Sequence, residues 1–183
     1  MLTIAVDSGG LSRAILDLKA TDPQARKALN STMNKMAAWV RTRSVRGLSD
    51  TVKIQQKILR ARVRTYRMQG SIGQAQVDGS MKVWFGLNAV PWAKLNPRAT
   101  RKGGVSAAGG RHDSEAFIAH YGGRPQVLKR IGKERVPLMV MKAEIAQESE
   151  NYIEHFVLAS AEFDNQFLKT FERELKWRTS TRR

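Results

Sequence analysis

The sequence predicts an α+β fold in which a long N-terminal helix and C-terminal helices pack on a small, mainly antiparallel sheet, with a long basic loop or arm attached. Three observations carry that expectation. Apolar residues recur at helical spacing before residue 46 and after residue 143. Strand-like runs broken by glycine fill the middle of the chain. Residues 95–114 hold almost no large apolar side chain. At 183 residues the chain can bury one sizeable core, so a single domain over 1–183 is expected.

Taken in order, Leu11, Ile15 and Leu18 have helical spacing and predict a short opening helix after the Gly9-Gly10 break. Asp22-Pro23 reads as an N-cap followed by proline at the first helical position, and Leu29, Met33, Met36, Ala37 and Val40 form the stripe of a helix from about Pro23 to Arg46. Gly47 is expected to end it, with Ser49 or Asp50 capping a shorter helix through Leu59. The order ARVRTY from Ala61 to Tyr66 alternates, putting Arg62, Arg64 and Tyr66 on one face of a strand and Ala61, Val63 and Thr65 on the other. After a glycine-containing spacer over 70–79, MKVWFGL from Met81 to Leu87 predicts another strand. Trp84 and Phe85 are available to its core, and Gly86 marks a bulge or close backbone approach.

Residues 95–114 cannot contribute to a core by composition, and they predict either an arm that orders on assembly or plain disorder. The stretch Glu115 to Lys142 is the best candidate for a sheet. Phe117, Ile118 and Tyr121 form its first strand, Val127, Leu128 and Ile131 its second, and Val136 to Met141 its third, with turns at Gly122-Gly123 and Gly132-Lys133. Beyond it, Ile153, Phe156 and Val157 form one helical stripe, and Phe163, Phe167, Phe171 and Leu175 a second, with a kink or division expected at Ser160 to Asp164. The basic tail 178–183 is expected to fray.

The formal net charge is +16, from 32 Lys and Arg against 16 Asp and Glu, which predicts attraction to nucleic acid, an anionic surface or acidic protein neighbours. Nine basic residues lie between Arg41 and Arg67, against one acid, Asp50. The segment 143–177 instead carries eight acids. Such polarity lets an acidic helix of one copy meet a basic face of the next in a ring, or pairs within one subunit, or faces water. There is no cysteine, which removes disulfides and thiolate chemistry. No uninterrupted apolar run of the length a membrane helix needs is present, and the protein is expected to be soluble and made in the cytoplasm.

Chemistry-bearing motifs are missing. His112, His120 and His155 are scattered, without the HExxH spacing that puts two imidazoles on one helical face, and His120 reads as a partly buried packing residue. The glycine pairs lack the order of a phosphate-binding loop, and no serine sits in a GxSxG elbow. Asp113 and Glu115 are a commonplace carboxylate pair. No catalytic residue, metal ligand, cofactor or small-molecule substrate is expected. Lysine and arginine can still bind phosphate, but no helix-turn-helix pattern or RNP aromatics are visible, so any DNA contact would be to the backbone.

The helix-to-strand block TVKIQQKILRARVRTYR at 51–67, the strand MKVWFGL, the basic insertion and the module AFI…RIGKERVPL at 116–138 together resemble the minor tail protein Z family of tailed bacteriophages, the tail completion proteins. The likeness covers about Pro23 to Trp177 as an arrangement. It implies a virion structural protein of the neck, at the head-proximal end of the tail, acting in tail assembly and head–tail joining. It further implies a homo-oligomeric ring, six-fold to suit tail symmetry, around the DNA channel, with tail terminator and head–tail connector proteins as neighbours. The DNA-facing or partner-facing surface would then comprise Arg60, Arg62, Arg64 and Arg67 on the strand-side row, Arg98, Arg101, Lys102 and Arg111 on the arm, and Arg124, Lys129 and Arg130 on the sheet. The other reading of the same charge is a nucleic-acid-binding accessory protein without sequence specificity.

Overall fold

A computed structural model describes residues 2–5, 8–66, 71–72, 77–78, 80–158 and 161–180. The fold is α+β, and every strand pairing among the described residues is antiparallel. In chain order the elements are β1 Leu2–Ala5, α1 Ser8–Asp17, α2 Asp22–Val52, α3 Gln56–Arg60, β2 Val63–Tyr66, β3 Ser71–Ile72, β4 Val77–Asp78 and β5 Ser80–Phe85. Then follow β6 Val90–Pro91, a 3-10 turn Trp92–Lys94, β7 Arg98–Ala99, β8 Val105–Ala107, β9 Arg111–Asp113, β10 Phe117–Tyr121, β11 Arg124–Arg130, β12 Leu138–Val140 and β13 Lys142–Ala143. The chain closes with α4 Ala146–Tyr152, a π-helical turn Ile153–Leu158 and α5 Ala161–Ser180. The chain divides into two compact units: Met1–Val45, Arg62–Phe85 and Ile153–Arg183 form the first, and Arg46–Ala61 with Gly86–Tyr152 the second.

In the first unit, α2 starts one residue earlier than its proline suggests. Thr21 is the cap: its carbonyl accepts from Ala25 N at 2.9 Å, and Gln24 Oε1 accepts from Thr21 N at 2.9 Å and from its hydroxyl at 3.0 Å. The glutamine three residues on thus reaches back to the Thr21 N–H, the return half of a capping box, which leaves Asp22 in the first turn where its charge suits the helix dipole. The stripe Leu29, Met33, Met36 and Val40 is buried, as are Phe163, Phe167, Phe171 and Leu175 of α5, and the expected four-residue step of those aromatics is what the helix presents. The two helices run antiparallel: Gln24 Nε2 donates to Arg178 O at 3.1 Å, the Trp39 and Phe163 rings lie 6.4 Å apart, and Arg43 pairs with Glu162. Leu11 and Ala14 bury the face of α1, which begins at Ser8 and carries Gly9 and Gly10 within it.

The sheet of this unit has the order β1-β5-β2, with Val63↔Phe85 and Arg64↔Trp84 in register. Alternation in β2 is as expected, with Val63 buried and Arg64 and Tyr66 exposed. Its neighbour β5 reverses the expectation for Trp84, because Val83 takes the buried position and the pleat turns the adjacent indole outward. The tail also departs from expectation. α5 continues to Ser180, because Arg178 is fastened at both ends of its side chain and backbone, donating to Glu174 Oε2 at 2.7 Å and Ser31 Oγ at 3.0 Å. Residues 181–183 lie outside the described residues.

Glu174 is buried between two cations. Burial alone would raise its carboxyl, but hydrogen bonds from Lys35 and Arg178 overcome this and hold it at about 2, below the ordinary 4.5. A carboxyl depressed on folding contributes stability that is complete above its unfolded value and lost as pH falls through the folded one. Acid titration from pH 4.5 toward 2 should therefore cost the native state about 3 kcal/mol through this residue. Denaturant unfolding across that range should show the loss, and Glu174→Gln should flatten it.

The second unit corrects the expectation at Gly47. α2 passes through this glycine and ends at Val52, with Lys53 in the left-handed conformation (φ 52) that often closes a helix. Gly47 is there for space: a Cβ on it would lie 1.8 Å from the Tyr152 hydroxyl oxygen and 2.1 Å from its Cζ. Ser49 does not cap a following helix but donates to Ile54 O at 2.7 Å across the bend. Gly47→Ala should lower stability by about 1–3 kcal/mol. In a Tyr152→Ala background the same change should cost much less, which a double-mutant cycle by chemical denaturation would measure.

Residues 95–114, expected as an arm, form a three-stranded sheet of order β7-β8-β9. Leu95, Val105 and Ala107 are buried, small residues sufficing where alternate positions of a short strand face inward. The glycine pairs are turns, with φ of 90° and 80° at Gly103 and Gly104 and 84° and 71° at Gly109 and Gly110. The sheet expected over 115–142 is present in the order β10-β11-β12. Gly122 and Gly123, at φ 59° and 74°, supply the two positive angles of a tight hairpin between Tyr121 and Arg124. β13 pairs with β6, matching Lys142 with Pro91 and Ala143 with Val90.

Candidate functional site

The basic residues singled out in the sequence have different fates. Arg60 closes α3, Arg62 lies in the turn before β2, and only Arg64 stands on that strand. Its guanidinium lies over the cross-strand Trp84 ring, 5.8 Å from the centroid, a cation–π contact that gives the outward indole its partner. Arg67 lies outside the described residues. Arg60, Arg62 and Arg64 are therefore not one row on one strand, since a helix end and a turn interrupt the period.

On the β7–β9 sheet, Arg98 is exposed on β7, and Arg101 and Lys102 are exposed at the turn that follows. Arg111 is half-buried and bonded to the backbone. Its guanidinium donates to Val52 O at 2.9 Å, an orphan carbonyl of the last turn of α2, and to Ala108 O at 2.6 Å. A cation at a helix C-terminus is favoured by the macrodipole, so this arginine fastens the helix end.

Pleat parity separates the three basic residues of β11. Arg124 and Arg130 stand an even number of residues apart and share a face, while Lys129 points to the other with buried Val127. There Lys129 Nζ meets Asp113 Oδ2 at 2.9 Å and Glu115 Oε2 at 2.9 Å. The hydrogen bond from Lys129 holds the Asp113 carboxyl below its ordinary range against some burial, with backbone donors from Glu115 and Ala116 helping. The ammonium is correspondingly held up, first by Glu115 and then by Asp113. The commonplace carboxylate pair is thus the seat of a lysine. On the opposite face Arg130 lies over the Phe117 ring, 5.7 Å from its centroid, and Arg124 is exposed at the other end of the strand.

The sequence reading missed the exposed apolar group beside these arginines: Ile131, Val136, Leu138, Met139 and Val140 are all exposed. An unbroken apolar run reads as core by type, and no local signal says otherwise. His120, expected to be partly buried, is exposed on β10, and His112 is exposed on β9. Among the described residues no three His, Asp or Glu side chains are grouped to hold a metal ion. No helix among them is long and apolar enough to cross a membrane. The arrangement offers exposed cations at Arg98, Arg101, Lys102, Arg124 and Arg130, an apolar surface on the β10–β12 sheet, and ion pairs that stiffen the structure beneath.

Lys129→Ala should let the Asp113 carboxyl return toward its ordinary range, an upward move that carboxyl NMR titration would detect. It should leave unaltered the arginines of the opposite face.

The family model described as prophage minor tail protein Z (GPZ) matches residues 9–180 of the chain. No curated protein and no solved structure matches it.

Proposed function

Because the chain belongs to the prophage minor tail protein Z family, and is therefore a structural component of a bacteriophage tail, we propose that it is a tail completion protein. In this reading it sits at the head-proximal end of the tail, in the neck, and takes part in tail assembly and head–tail joining. It works as a ring of identical subunits, six-fold like the tail, around the channel through which the genome passes. Tail terminator and head–tail connector proteins are its neighbours, and its contact with DNA is non-specific.

The observation that supports this reading most directly is the surplus of positive charge on a family member of the tail. A net charge of +16 suits a subunit that borders a polyanion or acidic neighbours. Exposed Arg98, Arg101 and Lys102 on a folded hairpin give that charge a fixed place. Exposed acids on the α4 segment, among them Glu148 and Glu150, provide the opposite sign that a head-to-tail ring contact would use. The same charge also supports a second reading, a free duplex-binding accessory protein, whose affinity would fall steeply with salt as counterions are released.

Purified protein added to tail tubes that lack it, followed by imaging, tests the first reading. Added ring-like density at the head-proximal end is expected, and tubes with unchanged ends would reject it. Binding of the isolated chain to a DNA duplex, steeply weakened between low and moderate salt while the tubes remain bare, would favour the second.

A further inference from the structure

The sheet β10–β12 is half finished. β11 is its central strand and β12 its last, pairing only through Leu138↔Arg130, Met139↔Lys129 and Val140↔Leu128. Bonds flanking this ladder fix its phase, since Met141 N donates to Val127 O at 2.8 Å and Ile131 N to Pro137 O at 3.1 Å. Hydrogen-bonded pairs alternate along an antiparallel ladder, so Met139 turns its backbone groups toward Lys129. Leu138 and Val140 then turn theirs toward the open edge, with two N–H donors and two carbonyl acceptors ready for another strand.

The edge carries apolar side chains that a protected edge would not need. Leu138, Met139 and Val140 are 40%, 46% and 37% exposed, and the adjoining Ile131 and Val136 are 61% and 66% exposed. A depression of about 410 Å³, lined by Met139, Val140, Met141, Lys142 and Glu144, runs beside the strand. Around them the charge has one sign: between Arg124 and Lys142 the sequence has six basic residues and one acid, Glu134. Lysines on an edge strand commonly guard against self-pairing. Here they also select a partner, because a second copy would bring the same excess of positive charge to the edge, like charges that repel.

We propose that the open edge of β12 is a docking site for an extended acidic segment of another protein, which adds as a fourth strand. Backbone hydrogen bonds to Leu138 and Val140 hold it. Its apolar side chains cover Leu138 and Val140, and its carboxylates face Lys133, Arg135 and Lys142. The inference stands on this sheet alone and does not depend on where in the tail the protein sits.

The test uses the full chain and a fluorescent ten-residue peptide, capped at both ends, in which glutamate alternates with valine. Anisotropy should report binding, and hydrogen exchange should slow at the Leu138 and Val140 amides. Replacing glutamate by lysine, or N-methylating alternate peptide amides to block strand pairing, should each weaken binding at least about tenfold. Lys133→Glu with Arg135→Glu, both at exposed positions, should weaken it to a similar degree. Absence of binding, equal binding of the lysine or N-methylated peptide, or unchanged exchange at the two amides would overturn the proposal. Protection of those amides that rises with protein concentration alone would overturn it in favour of a second copy. Displacement of the peptide by a DNA duplex with no dependence on Leu138 and Val140 would overturn it in favour of a simple anion site.

Discussion

A chain with so large an excess of positive charge can fold only if each cation drawn toward the interior meets a fixed acceptor. An unpaired buried charge costs far more than one contact returns. Three residues show how this is met. Arg111 caps the last carbonyl of α2, Lys129 sits between Asp113 and Glu115, and Arg178 shares the buried Glu174 with Lys35. Each arrangement consumes a large part of the acceptor capacity nearby, so carboxylates that read as spare in the sequence are structural partners. What stays exposed among the described residues includes Arg98, Arg101, Lys102, Arg124 and Arg130, cations available to a neighbour.

That remaining set has a distinct character in the second unit. Arg98, Arg101 and Lys102 stand on a hairpin whose inward positions, Val105 and Ala107, are small but buried. A basic segment need not be a loose arm when glycine pairs make its turns and alternate residues supply a minimal core. Holding charge on a folded hairpin lowers the conformational entropy lost when a partner arrives, which favours binding over what a free arm would achieve. The arginines of β11 share their face with Phe117, so charge and apolar surface lie together, a combination suited to protein neighbours more than to phosphate alone. Membership of the prophage minor tail protein Z family places these surfaces on a structural component of a phage tail.

Glycine illustrates where local reasoning loses its grip. At Gly122-Gly123 the residues on either side were strand-like, and a two-residue turn with positive φ was the simple solution. At Gly47 the same residue type invited the reading of a helix stop, yet the helix continues because the missing side chain makes room for Tyr152, a residue more than a hundred positions away. At the start of α2 the bonds from Thr21 to Gln24 set the cap one residue before Asp22, and proline at the second helical position is compatible with it because the first-turn amides have no intrahelical acceptor.

Periodicity by itself determined the aromatic stripe of α5, the buried stripe of α2 and the alternation of β2. Those follow from the 3.6 and 2.0 residue repeats of the backbone, which any reader of the chain can apply. Composition determined the net charge. Only the tertiary structure decided which cations are spent within the fold, that Trp84 faces outward under Arg64, and that Leu138 to Val140 are exposed. The physical reason is the same in each case: partners such as Val52 for Arg111, or an open strand edge beside Leu138, are set by contacts between distant segments, and residue type carries no record of them.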